Sequence, residues 1–274
     1  MSDLIDFVLD AHGGTAHWER ATQLSATMRV YGDFWAFKGQ PDLLSIETVD
    51  ADIHQQRIRM TPFGDGHSVE LDSTSDQVTI TDKSGTVVDQ LVHPRTSMAG
   101  YTGSTQWTAP QTGYFISYAT WTYLLEPFLF ILPGIETREI EPWHEIGETW
   151  RRLEVTFPKT IASHSTVQTY YFDADTGLQR RVDYSPDVNG NPPVAQYTSE
   201  HRDFDGVLVP TRRRVLLHNQ DGIADQMSCH ILLDINSAHL VGRRRRNRRP
   251  TEAAPPSDRG RYGRTVRRSL FTNS

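Results

Sequence analysis

An alternation of apolar and polar residues with a period of two runs through most of this chain from Leu24 onward. Such alternation is typical of β-strands that turn one face to a core and the other to solvent. The segments that fit it are 24–38, 42–50, 53–61, 67–72, 76–82, 86–92, 135–144, 149–157, 164–173, 178–185, 194–204, 207–218 and 223–236. The sequence therefore predicts a mainly β (α+β) protein.

Turn residues separate the late segments and predict how they pair. Asp175-Thr176-Gly177, Asp205-Gly206 and Asp221-Gly222 each stand between two alternating runs. Asp-Gly at such a place indicates a two-residue hairpin, which sets Phe204 opposite Val207 and His201 opposite Pro210. The last five strands are predicted to form a meander, and the whole to form one large curled antiparallel sheet.

A few helices are predicted beside this sheet. Leu4–Leu9 has helical spacing and stops near Gly13-Gly14, and Thr15–Ala21 follows with Thr15 as N-cap and Trp18 packed on the sheet. The apolar segment 113–133 carries Glu126 as its only charge. Glu126-Pro127 interrupts it and no basic cluster flanks it, which disfavours an integral membrane span. We interpret it as a buried helix, kinked at Pro127, on the concave face of the sheet.

Charge divides the chain at about residue 240. Residues 241–274 contain 11 Arg against Glu252 and Asp258, whereas the rest carries 17 basic and 32 acidic residues. We predict one domain over 1–240 and a basic, disordered tail over 241–274. The tail offers a site for nucleic acid or an anionic membrane, or it reflects a shifted reading frame without a selected function. Few aromatic residues and the acidic body disfavour nucleic acid.

Motifs for the common cofactors are absent. The chain lacks the glycine-rich dinucleotide and phosphate loops, the paired His or Cys motifs of zinc sites and the serine-hydrolase elbow. No cofactor and no metal are therefore expected. Cys229, the only cysteine, lies in an apolar run and is interpreted as a buried thiol. The acidic opening Met1–Asp10 has no basic n-region, so a cytoplasmic location is expected.

Aromatic residues are the first candidates for a binding site. On the predicted buried helix Tyr114, Tyr118, Trp121 and Leu125 recur every three or four residues and share a face. Tyr and Trp there either pack in the core or form a ligand-facing wall whose polar groups orient a bound molecule. The predicted ligand-binding set is Trp35, Phe37, Trp107, Tyr114, Phe115, Tyr118, Trp121, Leu125 and Tyr184.

Glu126, Tyr118 and His201 are the candidates for acid–base catalysis. A carboxylate within an apolar helix has a raised pKa when it lacks a partner, which suits proton transfer. The structural alternative pairs Glu126 with an arginine such as Arg151, Arg152 or Arg180. Most charges of the late strands are expected on the solvated outer face. A histidine that faces inward beside Tyr184 or Glu126 would give the simplest acid–base pair.

Several stretches resemble a group of uncharacterised bacterial proteins with a LolA/LolB-like fold. They are AHGGTAHWERATQLSA, TWTYLLEPFLFILPG, WRRLEVTFP, YYFDADTGLQRRVDY and EHRDFDGVLVPTRRRV, within residues 11–236. The resemblance implies a half-barrel of about eleven antiparallel strands, its mouth partly closed by helices. LolA and LolB carry lipoprotein acyl chains, but the signal peptide and lipidated cysteine of such proteins are not seen here. A violacein-pathway enzyme shares the fold and needs no cofactor.

These observations lead to two functional hypotheses. In the first, an apolar, aromatic-lined cavity binds a hydrophobic small molecule or acyl chain. In the second, the protein is a cofactor-independent isomerase, cyclase or dehydratase of a biosynthetic pathway that acts on a hydrophobic intermediate. The identity of the ligand and the oligomeric state are left open.

Overall fold

The computed structural model describes residues 3–242 and contains one antiparallel sheet of thirteen strands. The strands are β1 (Ala21–Tyr31), β2 (Ile46–Asp52), β3 (Arg57–Phe63), β4 (His67–Asp72), β5 (Gln77–Thr81), β6 (Val87–Val92), β7 (Glu136–Glu145), β8 (Glu148–Thr156), β9 (Val167–Asp173), β10 (Gln179–Tyr184), β11 (Val194–Phe204), β12 (Val207–Leu217) and β13 (Ile231–Gly242). Their order is β6-β5-β4-β3-β2-β1-β13-β12-β11-β10-β9-β8-β7. The sheet is open, and the predicted fold class is confirmed with thirteen strands in place of about eleven.

Several predicted strands have different bounds in the structure; 42–50 and 53–61, for example, correspond to Ile46–Asp52 and Arg57–Phe63. Two of the differences have a local cause. The segment 24–38 was predicted as one strand, but β1 stops at Tyr31 and residues 34–37 form a short helix after Gly32, whose φ of 127° ends the extended run. The segment 223–236 begins as a loop, because the Asn219 side chain accepts hydrogen bonds from the backbone N–H groups of Asp221 and Ile223. The last strand therefore starts only at Ile231.

The late meander and its register are confirmed. Strands β9 to β13 are sequential neighbours, His201 lies opposite Pro210, and Phe204 lies opposite Val207. At the turn between them Asp205 and Gly206 have φ values of 55° and 85°. Two successive positive φ values match a turn whose twist fits the flanking strands, and Asp-Gly supplies them at low cost.

Five helices accompany the sheet within residues 3–242. They are α1 (Asp3–Ala11), α2 (Thr15–Trp18), α3 (Phe34–Phe37), α4 (Pro94–Ser97) and α5 (Ala109–Leu125), with 3-10 helices at Phe128–Ile131 and Asp187–Asn189. Helix α2 is capped by Gly14, so Thr15 is its first residue and not the predicted N-cap. Trp18 is buried and stacks on Phe128, with ring centroids 4.5 Å apart.

Helix α5 is the predicted buried helix, with different ends. It begins at Ala109, where the Thr108 hydroxyl and the Gln111 side chain form a capping box. It ends at Leu125, because a residue before proline is held out of the helical region, and Glu126 has an extended ψ of 132°. The predicted kink at Pro127 is therefore wrong: the helix stops, and a separate 3-10 turn follows. Every residue from Pro110 to Leu125 is buried.

Helix α5 lies nearer to one wing of the sheet than to the other. Its backbone packs against β3, β4, β5 and β6. Gly113 permits this approach, since a Cβ there would lie 2.7 Å from a methyl group of Val69 in β4. The helix backbone lies further from β11, β12 and β13 than from β3 to β6, so only side chains can make contact on that side.

Two further sequence interpretations concern a membrane span and the C-terminal tail. Among the residues that the structure describes, no helix combines the length and the apolar character needed to cross a bilayer. The predicted basic tail lies, from residue 243 onward, outside the described residues.

We expect Gly113→Ala to destabilise the protein, although alanine favours helix by about 1 kcal/mol over glycine. The new methyl group overpacks against Val69, and overpacking of a core costs about 1–3 kcal/mol. Urea unfolding of Gly113→Ala, Val69→Ala and the double variant should show that the two costs are not additive. Ser117→Ala in the same helix is the control, and a stabilised Gly113→Ala would contradict the close packing.

Candidate functional site

An apolar cavity of about 70 Å³ lies between helix α5 and the inner face of β11, β12 and β13. On the sheet side, Gln196, Val215 and Ile231 are direct register partners and form one row of its wall. The residues that line it are Phe34, Trp35, Phe115, Ile116, Ala119, Tyr123, Tyr184, Pro186, Asn189, Pro192, Val194, Gln196, Val215, Leu216, Leu217, Ser228, His230, Ile231 and Leu233. Most of this wall is aliphatic or aromatic.

A wider groove of about 390 Å³ adjoins the cavity at the protein surface. Five residues line both spaces: Phe34, Asn189, Pro192, Leu217 and His230. Apolar side chains are exposed along the groove, with Phe37 57% and Leu217 39% accessible to solvent. Both spaces are mostly apolar and adjoin at these shared residues, and we refer to them together as the apolar path.

Four members of the predicted ligand-binding set reach this path. Trp35, Phe115 and Tyr184 line the cavity, and Phe37 lines the groove. Trp107 lies behind them, with its ring 5.0 Å from that of Phe115.

The other predicted members point away from the cavity. The Tyr114 hydroxyl accepts a hydrogen bond from Arg95 Nε at 3.0 Å. The Trp121 indole donates to the Asp52 carbonyl at 2.8 Å. Leu125 is fully buried in the core, and Tyr118 contacts a buried histidine. The face of α5 that the sequence singled out is thus directed elsewhere.

The face that does line the cavity consists of Phe115, Ile116, Ala119 and Tyr123. Phe115, Ala119 and Tyr123 recur every four residues, so the helical spacing held the signal. A helix that is apolar on all sides has no polar face by which to orient it, and two neighbouring faces were equally plausible. The cavity-lining residues of β11 to β13 were not predicted for the same reason, because no residue pattern distinguishes them from other buried residues of the sheet.

A buried polar network backs the cavity wall. The Tyr118 and Tyr123 hydroxyls lie 3.2 Å from Nδ1 and 2.8 Å from Nε2 of His164. The Tyr123 hydroxyl also lies 3.1 Å from that of Tyr184, whose ring stacks on His164 with centroids 4.0 Å apart. His164, in the loop before β9, thus lies inward beside Tyr184, whereas the histidine predicted for catalysis was His201.

Burial keeps this network neutral. It lowers the pKa of His164 to about 3, with a smaller effect from the positive charge of Arg95. Burial also raises the pKa of Tyr118, Tyr123 and Tyr184. A neutral imidazole can accept from one tyrosine and donate to the other, which satisfies both ring nitrogens.

Glu126 forms an ion pair with an arginine that the sequence interpretation did not single out. Arg213 Nη1 and the Gln179 amide each donate to the Glu126 carboxylate at 2.8 Å. Both charged side chains are buried. Arg213 Nη2 also donates to the Tyr123 carbonyl at 2.7 Å. That carbonyl would otherwise meet the nitrogen of Pro127, which has no hydrogen to donate.

The three catalytic candidates are not joined to one another. Within residues 3–242 no hydrogen bond links any two of Glu126, Tyr118 and His201. His201 instead lies beside His12, with ring centroids 5.8 Å apart. Burial lowers the pKa of His201 to about 3 and that of His12 to about 4.

One further titratable group escaped the sequence interpretation. Glu47 in β2 is fully buried, and burial raises the pKa of its carboxyl to about 7. Its inward position follows from the alternation of β2, where Val49 and Ala51 are buried on the same face. In the described part of the chain no group of three or more His, Cys, Asp or Glu residues is placed to hold a metal.

Comparison with protein-family models gives no match, and comparison with curated proteins gives none either. Solved structures with a similar fold include a LolA superfamily protein of Nitrosomonas europaea, at TM-score 0.47 and 10% identity, over 85% of this chain and 91% of that one. A domain of Vibrio parahaemolyticus assigned to outer-membrane lipoprotein sorting gives 0.44 and 8%, over 86% and 91%. A DUF1329 family protein of Desulfovibrio piger gives 0.40 and 11%, over 86% and 91%.

Each of these likenesses has a TM-score below 0.5 and an identity of 11% or less, so it is a likeness of general topology only. What the cavity does has to be argued from the residues of this chain.

We expect Glu126→Gln to lower the free energy of unfolding by about 3–5 kcal/mol, because it leaves the Arg213 charge buried without its counter-ion. The double variant Glu126→Gln/Arg213→Met should recover part of this loss in urea unfolding. Glu154→Gln, which breaks the exposed pair with Arg138, is the control and should cost less than about 1 kcal/mol. An equally small cost for Glu126→Gln would contradict the role of the pair.

Acid should weaken the fold through His164. Its folded pKa lies below that of an unfolded histidine, about 6.5, so the unfolded chain binds a proton first as pH falls. Above about pH 6.5 His164 therefore does not lower the free energy of unfolding. Between that pH and the folded pKa of His164, the free energy of unfolding falls by about 1.4 kcal/mol per pH unit. When the free energy of unfolding is measured at several pH values, it should fall less steeply with decreasing pH for His164→Gln than for wild type or for the exposed His144→Gln. Equal slopes would contradict a buried neutral His164.

Proposed function

We propose that this protein binds a hydrophobic small molecule in the cavity between helix α5 and strands β11 to β13. The observation that carries the proposal is that the inner cavity and the exposed groove at Phe37 and Leu217 are both mostly apolar and share five lining residues. Ligand sites are typically concave, mostly apolar and equipped with a few polar groups, and this path has that composition.

The energetics favour an occupant over an empty space. A bound apolar molecule gains about 25 cal/mol per Å² of apolar surface that it and the cavity wall remove from water. Ala119 lines the cavity, and a larger residue at that position would close it.

A second candidate is the cofactor-independent enzyme, an isomerase, cyclase or dehydratase. One observation favours it: the hydroxyls of Tyr123 and Tyr184, both cavity-lining residues, are connected to His164 in a chain along which a proton can pass. The low pKa of His164 makes it a weak base, so binding without conversion has the stronger support. The roles predicted for Glu126, Tyr118 and His201 stay predictions.

The test is native mass spectrometry of the purified full chain, followed by titration with a dye that fluoresces in apolar surroundings. We expect a copurifying molecule or uptake of one dye per chain. Ala119→Leu, which fills the cavity, and Leu217→Arg, which places a charge in the groove, should each weaken uptake about tenfold. Val87→Arg, at an exposed apolar residue of β6, is the matched control.

Absence of a copurifying molecule together with absence of dye uptake by the wild type would contradict the proposal. Recovery of an added ligand unchanged supports binding alone, whereas its conversion to an isomer or a dehydrated product supports the enzyme.

A further inference from the structure

A histidine and an aspartate form a polar pair where the cavity and the groove adjoin. His230 lines both spaces, and Asp33 lines the groove. His230 Nδ1 lies 3.0 Å from Asp33 Oδ1, and the two side chains are 47% and 74% exposed, so a ligand in the groove can reach them. The rest of the groove is mostly apolar. The pair is therefore where the apolar path offers a ligand an accessible polar contact, and such contacts usually decide specificity.

The backbone holds the two residues side by side. Gly32, whose φ is 127°, lies so close to His230 that a Cβ at Gly32 would be 2.1 Å from the His230 carbonyl oxygen. The same carbonyl accepts from the Phe34 N–H at 3.3 Å, and the His230 N–H donates to the Val215 carbonyl at 3.4 Å. Asp33 stands between Gly32 and Phe34 in the chain. The close approach of the two backbones thus places its carboxylate beside the imidazole.

Asp33 decides which nitrogen of His230 is available to a ligand. A carboxylate accepts hydrogen bonds and cannot donate them, so the proton of a neutral imidazole lies on Nδ1, toward Asp33. Within residues 3–242 the other nitrogen, Nε2, makes no hydrogen bond. Nε2 therefore keeps its lone pair, and a group that binds it has to donate a hydrogen bond.

The pair also disfavours an anionic head group. A carboxylate placed at Nε2 would meet a lone pair and would lie near the like charge of Asp33, and both contacts are unfavourable. Lys38 lies beside the groove, but it is fully buried, and its ammonium donates to the carbonyls of Gly103 and Thr105. It offers no direct contact to a head group. An uncharged donor such as a hydroxyl fits the pair.

We propose that His230 Nε2 is the polar contact of this binding site, and that the site takes an amphiphile with an alcohol head group. The hydroxyl donates to Nε2, and the apolar chain lies along the apolar path. Asp33 is a positioning residue, because it acts on the ligand through the imidazole. This inference rests on the proposed function and adds the chemical class of the ligand and the residue that recognises it.

The test is dye displacement from the full chain at pH 8, where a free histidine is neutral. The probes are 1-octanol, its isomer 1-methoxyheptane, which cannot donate a hydrogen bond, and octanoate. We expect 1-octanol to bind about three- to tenfold more tightly than either of the others, as one hydrogen bond provides.

Equal affinity for 1-octanol and its isomer, tightest binding of octanoate, or failure of 1-octanol to displace a bound dye would overturn the head-group inference. Each of these results leaves the proposed function standing, because the dye itself is bound. Absence of dye uptake by the wild type, with no copurifying molecule, would instead remove the proposed function.

Variants locate the effect. His230→Leu should abolish the preference for 1-octanol over its isomer and retain the affinity for the isomer. Asp33→Asn lets the imidazole carry its proton on either nitrogen, so the preference should fall by about twofold or more. The matched controls are His93→Leu and Asp76→Asn, which alter a second exposed pair, 2.7 Å apart, outside the cavity and the groove. They should leave the preference unchanged.

An unchanged preference in His230→Leu, or an equal loss in the control variants, would overturn the inference. If His230→Leu fails to fold, Asp33→Asn carries the comparison, and an unchanged preference in that variant has the same consequence.

Discussion

The ion pair between Arg213 and Glu126 fixes the end of helix α5, and the interior depends on where that helix lies. Pro127 both ends the helix and leaves the Tyr123 carbonyl without its usual donor. Arg213 of β12 supplies that donor and also neutralises Glu126. A helix without a polar face has no preferred rotation about its axis. These directional bonds tie its C-terminal end to the sheet, which apolar packing alone would not do.

The cavity follows from two contacts at opposite ends of the same helix. Near its N-terminal end Gly113 brings the backbone against Val69 and the β3 to β6 wing. At the other end Arg213 joins the helix to β12, near the middle of the sheet. Between them the helix stands away from β11 to β13, and Ala119 is too small to fill the gap. The space beside α5 is thus a consequence of how the helix is held.

The sequence predicted those parts of the fold that depend on local pattern. The alternation predicted all thirteen strand segments, and Asp205-Gly206 predicted the register of β11 and β12. The features that the sequence did not predict depend on contacts between distant segments. Four consecutive residues, Phe34 to Phe37, favour strand by composition but follow Gly32 into a helix. Arg212, Arg213 and Arg214 have the same chemistry, and only the alternation of β12 in its final register turns the middle one inward.

A buried polar network adjoins helix α5 on one side of the cavity. Both ring nitrogens of His164 have tyrosine partners, so the network holds the wall in one arrangement and has little capacity left for a guest. Burial lowers the pKa of His164 and raises the pKa of Tyr118, Tyr123 and Tyr184, so these groups are neutral. A neutral wall costs far less to bury than a charged one, and this is why an apolar space can persist beside four polar side chains.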